Sequence, residues 1–470
     1  MTECSQGKLE FQGLFTKKVE AEFNGGDITS DAGILLLREV EKRFGIIQQF
    51  ADCFEDYRDE DQIEFSVYEL LTQRIFGIAA GYEDLNDHDE LRTDPAFAAA
   101  VGRKDPTGMD RLREQDLGKP LAGRSTLNRL ELEAEKESDK RYKKFSSVWN
   151  EIEDLFVDYF VQLKTTKPKR LILDIDATDD PLHGNQEGRF FHGYYDEYCY
   201  LPLYIFCGDD LLCAKLRESG IDASAGSVEE LSRIIARIRD TWPDVHIMVR
   251  GDSAFCREDI MKWCEENNVE YVFGIAKNER LKEAIAEELD DAQQEFAKTG
   301  RAARVYKDIT YRTLDSWSRS RRVIGKAEYL AKGSNPRFVV TSYSEEDYDA
   351  QTLYEKQYCP RGDMENRIKE QQLYLFSDRT SSSKMRTNQL RLWFSSIAYV
   401  LMNALRKLGL KKTILERAQC HTIREKLFKI GAQVRISVRR VYLMFASGCP
   451  YKEIFGVALR NIQRSSPMPV

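Results

Sequence analysis

The chain has 470 residues, 42% hydrophobic and 31% charged, with a formal net charge of −8. That length exceeds one ordinary domain, and that apolar content excludes wholesale disorder. No apolar run approaches the roughly 18 residues that span a bilayer, and the opening MTECSQGKLEFQG lacks the basic-then-apolar order of a secretion signal. The expectation is a cytoplasmic protein with no membrane partner.

Residues 1–165 read as a mainly helical region. A short extended lead carries Phe11 and Phe15. Thr29, Ser30 and Asp31 then suit the cap of a helix whose Ile34, Leu37, Val40 and Phe44 fall at helical spacing. A second helix is predicted from Phe65 to Ala80. Farther on, Ser125 or Thr126 would cap a helix presenting Asn128 and Arg129. Short helices between tight turns permit a helix-turn-helix reader of DNA, with a helical packing layer as the plain alternative.

At about residue 166 the pattern changes. RLILDIDA is a short apolar run bounded by polar residues, which predicts a buried strand. YLPLYIF and LLCAKLR flank Cys207 to Asp210 and read as a hairpin. Ser227 and Glu230 have capping-box spacing ahead of a helix with Leu231, Ile234, Ile235 and Ile238 on one stripe. VHIMV then predicts a strand ending at Asp252, a helix starts near Arg257, and VEYVFGI predicts another strand. Three meandering strands followed by helix–strand units make a ribonuclease H-like order. The fold class expected is therefore α/β, a mixed sheet with flanking helices over 166–280.

Beyond Lys277 that order is interrupted. A charged helix leads into alternating segments such as ARVYKDITYRTL and PRFVVTSYS, which predict a β-rich insertion domain over 281–345. The core resumes over 346–405 with a helix bearing Glu365, and 406–470 reads as a basic helical region. Between Asp378 and Phe445 there are fifteen Lys and Arg against three Asp and Glu, a local +12 that leaves −20 elsewhere. Such asymmetry marks one surface for a polyanion, and Lys411 and Lys412 are candidates to touch DNA backbone there. A solvated basic helical surface is the bland alternative.

The ten cysteines make no C-x-x-C pair, so a zinc ribbon is not expected and buried packing is. Carboxylates carry more. Phosphoryl transfer with two metal ions needs several acids converging at one end of a sheet. Asp174 and Asp176 lie two apart on one strand and share its face. Asp252 ends a later strand, and Glu365 sits on a later helix. Spacing leaves either Asp174 or Asp176 as the ligand, though the one nearer the strand's carboxyl end should reach farther. Asp179 and Asp180 follow in the next turn.

The segment holding Tyr358, Arg361 and Glu365 resembles the Y-x2-R-x3-E signature of bacterial insertion-sequence transposases. LDIDATDDPLHGNQEG, GYYDEYCYLPLY, RGDSAF and DRTSSSKMRTNQLRLWFSSIAY, in that order, are similar to the DDE group 1 transposase family, as are GYEDLNDHDELRTDP and LAGRSTLNRLE. The resemblance spans roughly residues 12 to 410. It implies that Asp176, Asp252 and Glu365 are the catalytic and metal-binding acids, holding two Mg²⁺ with Mn²⁺ able to substitute. It implies that Tyr358 and Arg361 position a DNA phosphate. Where the signature has a lysine seven residues after the glutamate, this chain has Gln372, so strand binding would fall to Lys369. The implied activity is excision and integration of an insertion sequence by phosphodiester hydrolysis and strand transfer. The implied partners are the element's terminal inverted repeats, target DNA and a second copy of the chain on DNA, acting at the nucleoid. A structure-selective nuclease of the same fold, without strand transfer, is the alternative. Trp317 is expected to pack within its strands, with stacking on an unpaired base as the alternative.

Overall fold

The computed structural model describes residues 8–164 and 166–465. The chain forms two compact units: one is Val148–Ser396, and the other takes in the chain up to Ser147 and from Ile397 onward.

The middle unit is built on one mixed sheet. Its strands are β1 (Arg170–Ala177), β2 (Leu203–Cys207), β3 (Asp210–Lys215), β4 (His246–Gly251), β5 (Glu270–Ile275), β6 (Ala303–Tyr311), β7 (Arg321–Leu330) and β8 (Arg337–Thr341). They run in the order β3-β2-β1-β4-β5-β8-β7-β6, with Gly333–Ser334 as a ninth short strand on β7. β4 is parallel to β1 and to β5, while β2 is antiparallel to β1 and to β3. Helices α1 (Ser227–Thr241) and α2 (Glu258–Glu266) connect β3 to β4 and β4 to β5. Their stripes, including Leu231, Ile234, Ile238, Ile260 and Cys264, join Leu173, Ile175, Ile247 and Val249 in one core. Mixed α/β architecture and strand sequence thus follow the sequence reading.

Two features of this unit differ from expectation. The strands foreseen as a separate insertion domain extend the main sheet instead. β8 pairs antiparallel with the outer edge of β5, and β7 and β6 follow, so an otherwise bare edge is covered. Trp317 is buried edge-on to Tyr311 at 5.8 Å, the strand packing expected of it. The capping box foreseen at Ser227 does not form, because Gly226, at φ 76°, is the N-cap and Ser227 is already helical. A capping box does stand at Ser66 and Glu69, opening the helix Val67–Ala80.

From Ala350 the chain stays helical but changes its winding. A single α-turn passes into π-helix over Leu353–Tyr358, then a 3-10 turn over Cys359–Arg361, then α3 (Gly362–Leu375). Helix α4 (Met385–Ala404) follows.

In the other unit the helices Leu35–Phe44 and Val67–Ala80 pack with the C-terminal segment, and Pro95–Val101 packs on those two helices. Asp31 caps nothing with its side chain. Its carboxylate instead accepts from the Tyr82 hydroxyl at 2.8 Å and pairs with Lys429 at 2.6 Å. Asn128 and Arg129 are exposed on an eight-residue helix, Arg124–Glu131, opened by Gly123 rather than by Ser125 or Thr126. The C-terminal region is not wholly helical. β9 (Ala432–Ser437) and β10 (Arg440–Phe445) form a hairpin whose base pairs with Ile28–Thr29, followed by α5 (Lys452–Arg464). The β-branched alternation of Val434, Ile436 and Val441 with polar residues explains why strands win there.

Cys53, Cys199, Cys213, Cys264 and Cys420 are buried, whereas Cys359 is exposed. Cys4 lies outside the described residues. Among the described residues no helix is long and apolar enough to cross a membrane.

Candidate active site

Sheet register brings the acids of the first two segments together. Asp174 pairs across with Arg250 and Ile175 with Gly251, so Asp252 stands level with Asp176 at the carboxyl ends of two adjacent parallel strands. Gly251 allows the tight exit from β4. A Cβ there would meet Ile175 Cγ2 at 3.0 Å and Phe255 at 3.1 Å. Beyond it the Asp252 carboxylate accepts from the Ala254 amide at 2.8 Å, which fixes the side chain at the strand tip.

Asp174 and Asp176 share a face but not an environment. Both oxygens of Asp174 are taken by Arg250, at 2.5 and 2.8 Å, and the same guanidinium donates to the Gln357 carbonyl at 2.6 Å. The pair is buried on both sides. Among the described residues Asp176 accepts only from its neighbour Ala177 N–H, at 3.0 Å, and from Arg361 Nη1, at 3.3 Å. Burial pushes the Asp176 carboxyl up to about 7. Arg361 opposes that rise, while the carboxylates of Asp252 and Glu365 add to it.

Helix α3 and the turns before it supply the rest. Tyr358, Arg361 and Glu365 fall at spacings of three and four, hence on one stripe. Arg361 Nη2 lies 3.5 Å from Glu365 Oε1, so one guanidinium stands between Asp176 and Glu365. Glu365 is half exposed, and Lys369 is exposed one turn farther along. Tyr358 reaches back over β5, where a Cβ on Gly274 would lie 2.6 Å from its hydroxyl and 3.1 Å from the Ser253 nitrogen. Gln372 does not face outward. Its amide donates to the Asp179 carbonyl at 3.0 Å and to the Asp180 carboxyl at 3.1 Å. Asp180 is wholly buried and its carboxyl is held far above the usual range by that burial. The Gln372–Asp180 contact therefore clips the Glu365 helix to the segment that leaves β1.

Register thus brings Asp176 and Asp252 together, and Arg361 links Asp176 to Glu365. In the arrangement described, no three His, Cys, Asp or Glu side chains among the described residues group closely enough to hold a metal ion. The donor set nevertheless fits one: hard carboxylate oxygens suit Mg²⁺ or Mn²⁺, and a cationic guanidinium already stands among them. Lys411 and Lys412 lie in an exposed turn of the other unit. Arg250, Gly274 and the Asp180–Gln372 clip escaped the sequence reading. Each acts through a cross-strand or helix-to-strand neighbour that only the register reveals.

Residues 11–467 match the family described as transposase DDE domain, group 1. No curated protein matches the chain.

Proposed function

The chain belongs to the transposase DDE domain group 1 family, and on that premise we propose that it cuts and rejoins DNA at Asp176, Asp252 and Glu365. The core is read as ribonuclease H-like. The observation that carries the proposal is the level pairing of Asp176 and Asp252 at adjacent strand ends, with Arg361 linking Asp176 to Glu365.

Asp176, Asp252 and Glu365 would hold two divalent ions, Mg²⁺ or Mn²⁺. When bound, such ions lower the pKa of a water and offset charge on the phosphate oxygens. The protein's own residues do the rest. The Ala254 amide keeps Asp252 aimed. Arg361, released from the carboxylates, suits a two-pronged grip on a phosphodiester. Tyr358 and Lys369, on the same stripe, would place the strand. Lys411 and Lys412 would add backbone contacts from the other unit. In this reading water first cleaves the P–O3′ bond at the element's end and frees its 3′-OH. That hydroxyl then attacks a target phosphodiester at the same acids; the target's own P–O3′ bond breaks and its 3′-oxygen leaves as a hydroxyl, so no covalent protein–DNA bond is formed. Terminal inverted repeats, target DNA, a dimer on DNA and action at the bacterial nucleoid complete the proposal.

Strand transfer with pre-cut ends is the test. Joining to a target plasmid supports the transposase reading. Cleavage of nicked or branched DNA without any joining would make the protein a nuclease.

A further inference from the structure

The hairpin near the C-terminus does more than close a sheet. Only its base is tied down: Ala432 and Gln433 pair with Thr29 and Ile28, and Val434 N–H donates to the Asp27 carbonyl. Among the described residues, from Arg435 outward the two strands pair only with each other, up to a two-residue turn at Val438 and Arg439. This free part projects on the order of 10 Å.

Its two faces are unlike. Ile436, Val441 and Leu443 lie on the inner face and, with Leu35, Leu36 and Phe455, line an open cavity of about 1100 Å³, which also takes in Arg439, Arg440 and the acids Glu39, Asp105 and Asp110. Phe445 packs on Phe455 with ring centroids 5.3 Å apart. On the outer face Arg435 sits opposite Tyr442 and Ser437 opposite Arg440. Those four are exposed, Tyr442 at 59%, and Val438 at the tip is fully exposed. No Asp or Glu occurs between Glu425 and Glu453. Three clustered arginines and a bare valine at the tip make a surface that a polyanion would cover.

We propose that this basic ribbon is a DNA-binding arm, its outer face of Arg435, Arg440 and Tyr442 lying in a groove of duplex DNA with Arg439 at the tip. A two-stranded ribbon fits the major groove, roughly 12 Å wide, and its arginines suit phosphates and guanine edges. A second copy of the chain is a poor occupant, since a self-complementary contact would set arginine against arginine. The inference rests on the transposase reading and adds a surface to it, remote in sequence from the acids.

The test uses the full chain and a mixed-sequence duplex, with affinity measured between about 50 and 200 mM salt. R435Q/R439Q/R440Q should bind at least about tenfold more weakly at low salt, with a slope shallower by close to one unit per lost phosphate contact. The triple Arg→Lys variant should keep most of the slope. Wild-type binding that the glutamine variant reproduces unchanged overturns the arm alone, as does equal loss in the lysine variant. Tighter binding of the wild type to anionic vesicles than to duplex also overturns it. Failure of the wild type to bind any duplex overturns the transposase reading, and the arm with it.

Discussion

Asp174 and Asp176 show how far two residues on one strand face can diverge. Asp174 is neutralised by a buried guanidinium, whereas Asp176 has, among the described residues, a backbone amide and a shared Arg361. Asp176→Asn should therefore abolish cleavage with Mg²⁺ and with Mn²⁺ alike. Asp174→Asn should cost stability instead, about 3–5 kcal/mol, because it strands the Arg250 charge in the interior. Thermal melts beside cleavage assays separate the two, and the reverse ranking would contradict the assignment. The Asp176 carboxyl, raised to about 7 by burial, also gives a pH signature. Between roughly pH 4 and 7 the metal-free folded chain holds a proton that the unfolded chain has released. Stability should fall as pH rises through that window. In Asp176→Asn the fall should be much smaller, and denaturant titrations at several pH values check it. The placement of Asp252 at a strand tip and of Glu365 on a helix was legible because each lies in a recognisable segment. Gly274 was not, since its lack of a side chain matters only once Tyr358 lies over it. Gly274→Ala should displace that hydroxyl and lower cleavage while leaving the chain folded.

At the scale of elements, long periodic stretches were readable and junctions were not. The stripe of α1 and the hairpin of β2 and β3 follow from spacing alone. The capping box at Ser227 failed because Gly226, free to adopt a left-handed backbone, opens the helix one residue earlier. The C-terminal hairpin was missed because its basic residues drew attention to charge, while the period-two pattern of Val434, Ile436, Val441 and Leu443 went unread. Nor does spacing reveal the passage through π and 3-10 winding before α3, although Pro360, which donates no amide, sits at that junction. Helix α3 carries Glu365 and is held by Gln372. Gln372→Ala should loosen that hold and slow cleavage of bound DNA by about 10–100-fold, as lost support of an active-site ligand does. DNA affinity should not change. Asp180→Asn, which still offers an acceptor oxygen, should retain most activity. Equal loss in both variants, or loss of DNA binding in either, would contradict the clip.

Across the whole molecule, the basic stretch and the three acids proposed for catalysis are kept apart in sequence. The +12 stretch lies after the last acid, and much of it belongs to the unit that also contains the chain's first 147 residues. Sequence order alone hid that the two ends of the chain share a unit, because it rests on contacts such as Asp31 with Lys429. It also hid that the stretch after Lys277 extends the sheet. Neutralising Lys411 and Lys412 together should reduce the slope of log affinity against log salt by close to one unit for each that meets a phosphate. An unchanged slope would return that turn to solvent. The most direct measurement is cleavage of a duplex carrying the element's own end, with Asp252→Asn and Glu365→Gln compared with wild type in Mg²⁺. Both variants should bind the duplex as wild type does and fail to cut it. Cleavage within about tenfold of wild type by either would contradict the three-acid site, because losing a metal ligand removes several kcal/mol of transition-state stabilisation.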